Sequence, residues 1–215
     1  MRVVHALPWM LILFGSDSGS LGGESADVKT RQQQEPCPDE IPSRGKYVNL
    51  SYGFSIIIPP GLEGLWNSAS CSKQGEECTC MSDHGRVIPL SAKPYLPDRH
   101  VEAYADYGAD LENGTVSEAV TSNLQSIQER SQPGTMSVRH KRAIRLAGLD
   151  AQRVIVRYSD KRLHAWMIED FIEAIGNGVR YMLYLRTPEA TYTQDRSIFD
   201  RVIATFKLAQ NHANN

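Results

Sequence analysis

Three consecutive segments, AQRVIVRY (151 to 158), LHAWMIEDFI (163 to 172) and VRYMLYLR (179 to 186), alternate apolar and polar residues, and only short connectors around Ser159-Asp160-Lys161 and at Gly176-Asn177-Gly178 separate them. Connectors of that length close hairpins, whereas a parallel crossover needs a dozen residues or more, so these strands must be antiparallel neighbours. Met136 to Leu146 reads as a further extended segment, turned into the same sheet at Gly148-Leu149-Asp150. A half-buried sheet of this kind needs a cover. Two amphipathic stretches supply it. In Val116 to Arg130, the stripe Val116, Ala119, Val120, Leu124 and Ile127 follows a Thr115/Glu118 capping-box signature, and Pro133-Gly134 lies beyond its end. A second helix, from about Asp195 to Phe206, aligns Ile198, Phe199, Val202, Ile203 and Phe206. The fold class is therefore α+β, an antiparallel sheet with helical cover.

Upstream, Tyr52, Phe54, Ile56 and Ile58 fall on one face at period two, and Pro59-Pro60-Gly61 stops that strand. Val101 to Tyr107 reads as a short strand. Arg86 to Leu90 reads as an edge strand, because Pro89 removes a ladder donor. Residues 19–46 mix Gly, Ser, Gln, Glu, Pro and Lys with little apolar content and read as a flexible linker. A single domain is expected over 47–208, with 209–215 as a disordered tail.

With 215 residues, 41% hydrophobic and 22% charged, the chain can bury a substantial core. Its net charge of −2 provides no general attraction for nucleic acid, which is not expected as a partner. Residues 1–18 carry an early Arg2, an apolar run from Val3 to Phe14 and small residues after it, the layout of a secretory signal. That run is shorter than the roughly 20 residues of a transmembrane anchor. The expected location is secreted or periplasmic, with association with the cell envelope as a further expectation. Cys37, Cys71, Cys78 and Cys80 then read first as two disulfides. Cys78 and Cys80 are poorly placed to bond each other, so Cys71 should pair with one of them and Cys37 with the other. The Cys71 bond closes a loop of about ten residues, contributing on the order of 2 to 3 kcal/mol.

The order of elements brings a family into view. YGFSIIIPPG as the opening strand, SEAVTSNLQSI as the mid-chain helix, GLDAQRVIVRY, the long hairpin, YMLYLRTP and the closing FDRVIATFKL resemble the PsbP-like superfamily, which includes the Ran-binding Mog-type proteins and many exported bacterial proteins. The resemblance covers roughly 47–208. It implies a curved antiparallel sheet flanked by helices, an α-β-α sandwich, and a non-catalytic accessory or binding role. It transfers no functional residue, and the segment from Cys71 to Cys80 and the PLSAKPYLPD stretch after it lie outside the general pattern.

The residues offer several further chemistries. Cys71, Cys78, Cys80 and His84 supply the thiolates and imidazole of a zinc site, although C-x6-C-x-C-x3-H is not a two-knuckle spacing. A reactive thiol in the same segment is another reading, with His84 and Arg86 nearest to lower its pKa. Asp106, Asp110, Glu112 and Asn113 could offer oxygens to calcium, but they lack EF-hand spacing and suit a solvated turn before a helix. Arg139, Lys141, Arg142 and Arg145 form the basic run, either a polyanion patch or a charged edge that discourages sheet-to-sheet pairing. Trp66, Trp166, Tyr158, Tyr181 and Tyr184 could line a groove or simply fill the core. No nucleophile elbow, H-E-x-x-H, P-loop or dinucleotide fingerprint is present. The reading is an exported, non-catalytic accessory or binding domain for an unknown protein or small ligand, without cofactor. A thiol-redox or metal-binding protein built on Cys71 to His84 is the alternative.

Overall fold

The computed structural model describes residues 43–66, 71–74, 77–80, 83–92, 96, 98–107 and 114–209. The signal-like segment and Cys37 lie outside them. Strands β1 (Lys46–Asn49) and β2 (Phe54–Ile57) pair as a hairpin, and β3 (Leu65–Trp66) follows the Pro59-Pro60 turn. β4 (Cys71–Gln74) and β5 (Glu77–Cys80) form their own two-stranded ribbon. Next come β6 (Gly85–Pro89), β7 (His100–Asp106), α1 (Val116–Arg130), β8 (Ser137–Leu146), β9 (Leu149–Ser159), β10 (Trp166–Gly176) and β11 (Val179–Pro188). A 3-10 turn, Glu189–Thr191, leads into α2 (Tyr192–Thr205), and β12 (Lys207–Leu208) ends the described chain.

The main sheet has seven strands in the order β3-β6-β7-β11-β10-β9-β8, antiparallel throughout. The hairpin ladder read from the sequence is its β8 to β11 half. β10 begins at Trp166 and runs to Gly176, later than the segment read from the sequence, because Asp160 builds a turn at its entrance. The Asp160 side chain accepts from the amides of Arg162 and Leu163 at 2.8 and 2.9 Å, so the connection takes up Leu163 to Ala165. One expectation fails: β6 is not an edge strand. β3 pairs with it through Leu65 and Trp66, opposite Val87 and Arg86, and ends before Pro89. The missing proline donor therefore breaks no bond on that side. Gly85 starts β6 where a Cβ would lie 1.9 Å from the Ala103 carbonyl oxygen, a gap that accepts only glycine.

A second departure concerns the opening strand. β2 does not join the main sheet but forms a three-stranded sheet with β1 and β12. Tyr52, Phe54, Ile56 and Ile58 are all buried, as their spacing requires. They meet Ala103, Leu183, Leu185, Phe199, Val202 and Phe206 in one core on the α2 face of the main sheet. On the opposite face, α1 lays Val120 and Ile127 over Val154, Val156, Met167 and Phe171. The Thr115/Glu118 capping box forms as the sequence indicates. The result is an α-β-α sandwich with an open sheet.

The packing sets a contrast in stability. Phe199 is fully buried, and Phe199→Ala should cost about 3 to 5 kcal/mol through lost transfer energy and the remaining cavity. Thr115→Ala removes only an exposed cap and should cost about 1 kcal/mol. Urea unfolding of both variants checks the difference.

Candidate functional site

β10 is covered on both faces, and its burial pattern shows it: every residue from Met167 to Ala174 is buried. Three of those residues are acidic. Glu169, Asp170 and Glu173 each have no solvent exposure, a costly placement unless each meets a cation. On the α2 face, Arg153 donates through Nε and Nη2 to the two Asp170 oxygens at 2.8 Å each, and Tyr192 of α2 donates to Asp170 at 2.9 Å. On the α1 face, Arg180 donates to both Glu173 oxygens at 2.9 and 2.7 Å, and Asn123 of α1 donates to the same carboxylate. Burial, the largest influence, still pushes the Glu173 carboxyl above the usual range, against the pull of Arg180.

Glu169 anchors the site. Arg130, at the end of α1, reaches both its oxygens from Nη2 at 3.0 Å, the Tyr158 hydroxyl donates to it, and Arg186 Nη1 stands 3.7 Å away. Arg186 Nη2 also donates to Asp160 at 2.7 Å. Burial and then the Glu169 charge push the Tyr158 phenol far up, and the same two causes raise Tyr184 well above its ordinary value.

α1 packs mainly on β9 and β10, with Asn123 Nδ2 reaching Met182 Sδ of β11 at 3.5 Å. Beyond it, the α1 face of β11 and β7 carries Arg180, Met182, Tyr184, Arg186, His100, Glu102, Tyr104 and Asp106, all half-buried, while the alternate residues of both strands face the other core. Along the flank of α1 this uncovered strip opens into a cavity of about 250 Å³, lined by residues that include Asn123, Arg130, Glu169, Met182, Tyr184 and Arg186. The Nε atoms of Arg130 and Arg186 are buried there with no hydrogen-bond partner. Arg130 thus spends part of its fork on Glu169 and Arg186 part of its own on Asp160, and each keeps one desolvated donor without an acceptor.

Of the residues singled out from sequence, Tyr184 lines this cavity and Tyr158 supports it from beneath. Tyr181 lies in the opposite core, with its hydroxyl on the Tyr52 carbonyl at 3.0 Å. Trp166 is 41% exposed, and Arg157 stacks on it with the guanidinium carbon 3.4 Å from the ring centroid. The backbone of Trp66 pairs with Arg86. Cys71 stands opposite Cys80 in the β4–β5 register, and Lys73 opposite Cys78. His84 Nδ1 lies 2.9 Å from both the Tyr52 hydroxyl and the Ala105 carbonyl, and its ring stacks on Tyr104. Among the described residues, no group of His, Cys, Asp or Glu is gathered closely enough to hold a metal. Asp106 ends β7, whereas Asp110, Glu112 and Asn113 lie outside the described residues. Arg139, Lys141, Arg142 and Arg145 sit on β8, away from the cavity. No described helix is long and apolar enough to cross a membrane.

The sequence reading missed Glu169, Arg130 and Arg186. Its available signal was the segment MIEDFIEA, where acids occupy both phases of a strand whose apolar residues also occupy both phases.

No family model and no curated protein matches the chain. Solved structures do. The chain is similar to cyanobacterial PsbP from Synechocystis sp. PCC 6803, at 16% identity and TM-score 0.49, covering 82% of this chain and 98% of that one. It is similar to the Ran-binding protein Mog1p of Saccharomyces cerevisiae, at 10% identity and TM-score 0.48, over 79% of this chain and 97% of the other. LpqN, involved in cell envelope biogenesis of Mycobacterium tuberculosis, matches at 10% identity and TM-score 0.45, over 79% and 90%.

Asp160 makes the electrostatics testable. Burial acts most strongly on it and works upward, but the Leu163 and Arg162 amides and then Arg186 and Arg162 together hold its carboxyl below the ordinary 3.8. A depressed folded-state value means its stabilisation is complete above that pH and is lost as pH falls through the lower folded value. The gap in unfolding free energy between the wild type and Asp160→Asn should be constant above about pH 5 and narrow steadily in more acid solution. Urea unfolding across that range measures it, and a gap unchanged down to the acid limit would contradict the pairing.

Proposed function

We propose that this chain is an exported accessory domain that binds a protein partner on the uncovered half of its α1 face, with the cavity beside α1 seating one acceptor-bearing side chain of that partner. The observation that carries this reading is the pair of desolvated Nε donors of Arg130 and Arg186 pointing at no acceptor. A buried donor left unmade costs roughly 1 to 3 kcal/mol, which a partner's carboxylate or carbonyl would recover. The volume, about 250 Å³, falls below the roughly 300 to 1,000 Å³ of pockets that enclose drug-sized ligands, and it suits a single side chain better than a whole metabolite. Buried arginines beside a tyrosine are also the composition of interface hot spots. The carboxylates of the site are already matched by arginines, which suits a fixed docking surface rather than proton transfer.

N-acetyl-aspartate amide can stand in for the partner side chain. In NMR titrations its binding should shift the Arg130 and Arg186 Nε–H resonances, and Met182→Trp, which fills the cavity and changes no charge, should abolish the shift. Resonances that stay still in the wild type under saturating probe would remove the basis for the reading.

Export is supported by the leader-like start and the even cysteine set. The β4–β5 register favours a Cys71–Cys80 bond, since directly opposed strand residues have Cα atoms about 4.5 to 5.5 Å apart, within disulfide range. Protein recovered from an oxidising compartment should therefore show no titratable thiol, and proteolysis without reductant should release Cys71 and Cys80 in one linked fragment. A free thiol would instead favour the redox or metal reading.

A further inference from the structure

We propose that β8 is an acceptor edge, to which an extended acidic segment of a partner protein adds as a further strand alongside His140 to Arg145. This goes beyond the cavity reading and uses a different part of the sheet.

β8 ends the seven-stranded sheet, so among the described residues one side of its backbone has no neighbouring strand. Its first seven residues are also exposed on both faces. From Ser137 to Ala143 every residue is exposed, a pattern shared by no other strand of the sheet whose burial is described throughout. Only its turn end, Ile144 and Leu146, joins the core on the α2 face, and the rest projects as an exposed arm of the β8–β9 hairpin.

The backbone geometry fixes which groups face outward. Ala147 and Gly148 form a two-residue turn with both φ angles positive, 47° and 91°, and Leu146 pairs with Leu149 across it. In such a turn the closing pair exchanges both of its hydrogen bonds, and hydrogen-bonded and open pairs then alternate along the ladder. Ile144, Arg142 and His140 consequently direct their amides toward β9. Arg145, Ala143 and Lys141 direct theirs outward. The extra residue Arg139, where the register shifts between Val138 and His140, interrupts the ladder and sets the far limit of the docking stretch.

Charge selects the occupant. Lys141 and Arg145 fall on one face of the strand and His140 and Arg142 on the other. Arg145 pairs with Asp150 at 2.5 Å and Arg139 with Glu189 at 3.5 Å, while Lys141 and Arg142 have no ion-pair partner among the described residues. A second copy of β8 would bring like charges opposite one another and is repelled. A strand with carboxylates alternating to both faces would meet cations on both, and backbone bonding gives strand addition its affinity. The basic residues that guard the edge against self-pairing are thereby the ones that admit an acidic strand.

The experiment uses the full chain and a fluorescent, end-capped peptide of Glu-Glu-Thr-Thr repeats, which sets carboxylates on both faces of a strand, read by anisotropy and by amide exchange. Binding should protect the Lys141, Ala143 and Arg145 amides selectively and weaken with salt. It should fall by about tenfold or more in the Lys141→Glu/Arg142→Glu pair, and equally in Ala143→Pro, which removes one outward donor and changes no charge. Methylating alternate amides of the peptide tests the same bonds with the protein unaltered, which covers the case of a misfolded proline variant. Binding that survives both backbone blocks, or that is matched by coiled poly-glutamate or an acidic polysaccharide, would reduce β8 to a polyanion patch and overturn the proposal, as would absence of binding.

Discussion

Three carboxylates buried in one strand govern how the rest of the molecule is arranged. Glu169, Asp170 and Glu173 sit in the centre of the sheet with no access to water, and charges in that position must be met by cations or they unfold the strand that carries them. The cations come from strands on either side: Arg153 from β9, Arg180 and Arg186 from β11. The helices complete the shells, α1 with Arg130 and Asn123 and α2 with Tyr192 and with Asp200, which shares Arg153 at 2.9 Å. Each helix is thus tied to the sheet by polar contacts at defined points, in addition to its apolar stripe.

Buried ion pairs rarely add net stability over well-packed apolar residues, because desolvation offsets most of the Coulombic gain. Their value here is positional. An apolar stripe allows a helix to slide or rotate by small steps at little cost, whereas Arg130 must meet Glu169 and Asn123 must meet Glu173. That requirement parks α1 over β9 and β10 and, among the described residues, leaves much of β11 and β7 open on the same face. The open strip and its cavity are therefore consequences of the same charge matching that orders the core. α2 is held in parallel fashion through Asp195, fully buried, which receives Arg99 at 2.8 and 2.7 Å and the Thr187 hydroxyl at 2.5 Å.

Local signals carried the elements well where they involved a single period or a short connector. Thr115 with Glu118 announced the start of α1, Gly176-Asn177-Gly178 announced the β10–β11 turn, and the row Tyr52, Phe54, Ile56, Ile58 announced a buried face. Signals failed where two surfaces competed for one segment. The β10 sequence reads as one-sided alternation only if Glu169 and Glu173 face water; their burial depends on cations from other elements, Arg180 across the β10–β11 turn and Arg130 39 residues away. Pro89 marked β6 as an edge by a rule about donors, but the short β3 fits beside the residues before it. The site shares this difficulty, since Arg130, Glu169 and Arg186 come from a helix and two strands and form no motif.

By itself, the sequence determined the antiparallel hairpin order from Met136 to Arg186, the two amphipathic helices and the charged character of β8. Short connectors and residue periodicity act between near neighbours and leave little choice. Only the tertiary structure decided that β2 pairs with β12 in a separate sheet, that β10 is covered on both faces, and that two guanidiniums converge on Glu169 with a donor each to spare. Those outcomes depend on register between distant strands and on how far each helix extends across the sheet. Both are settled when buried charges find their partners, a pairing that no local pattern encodes.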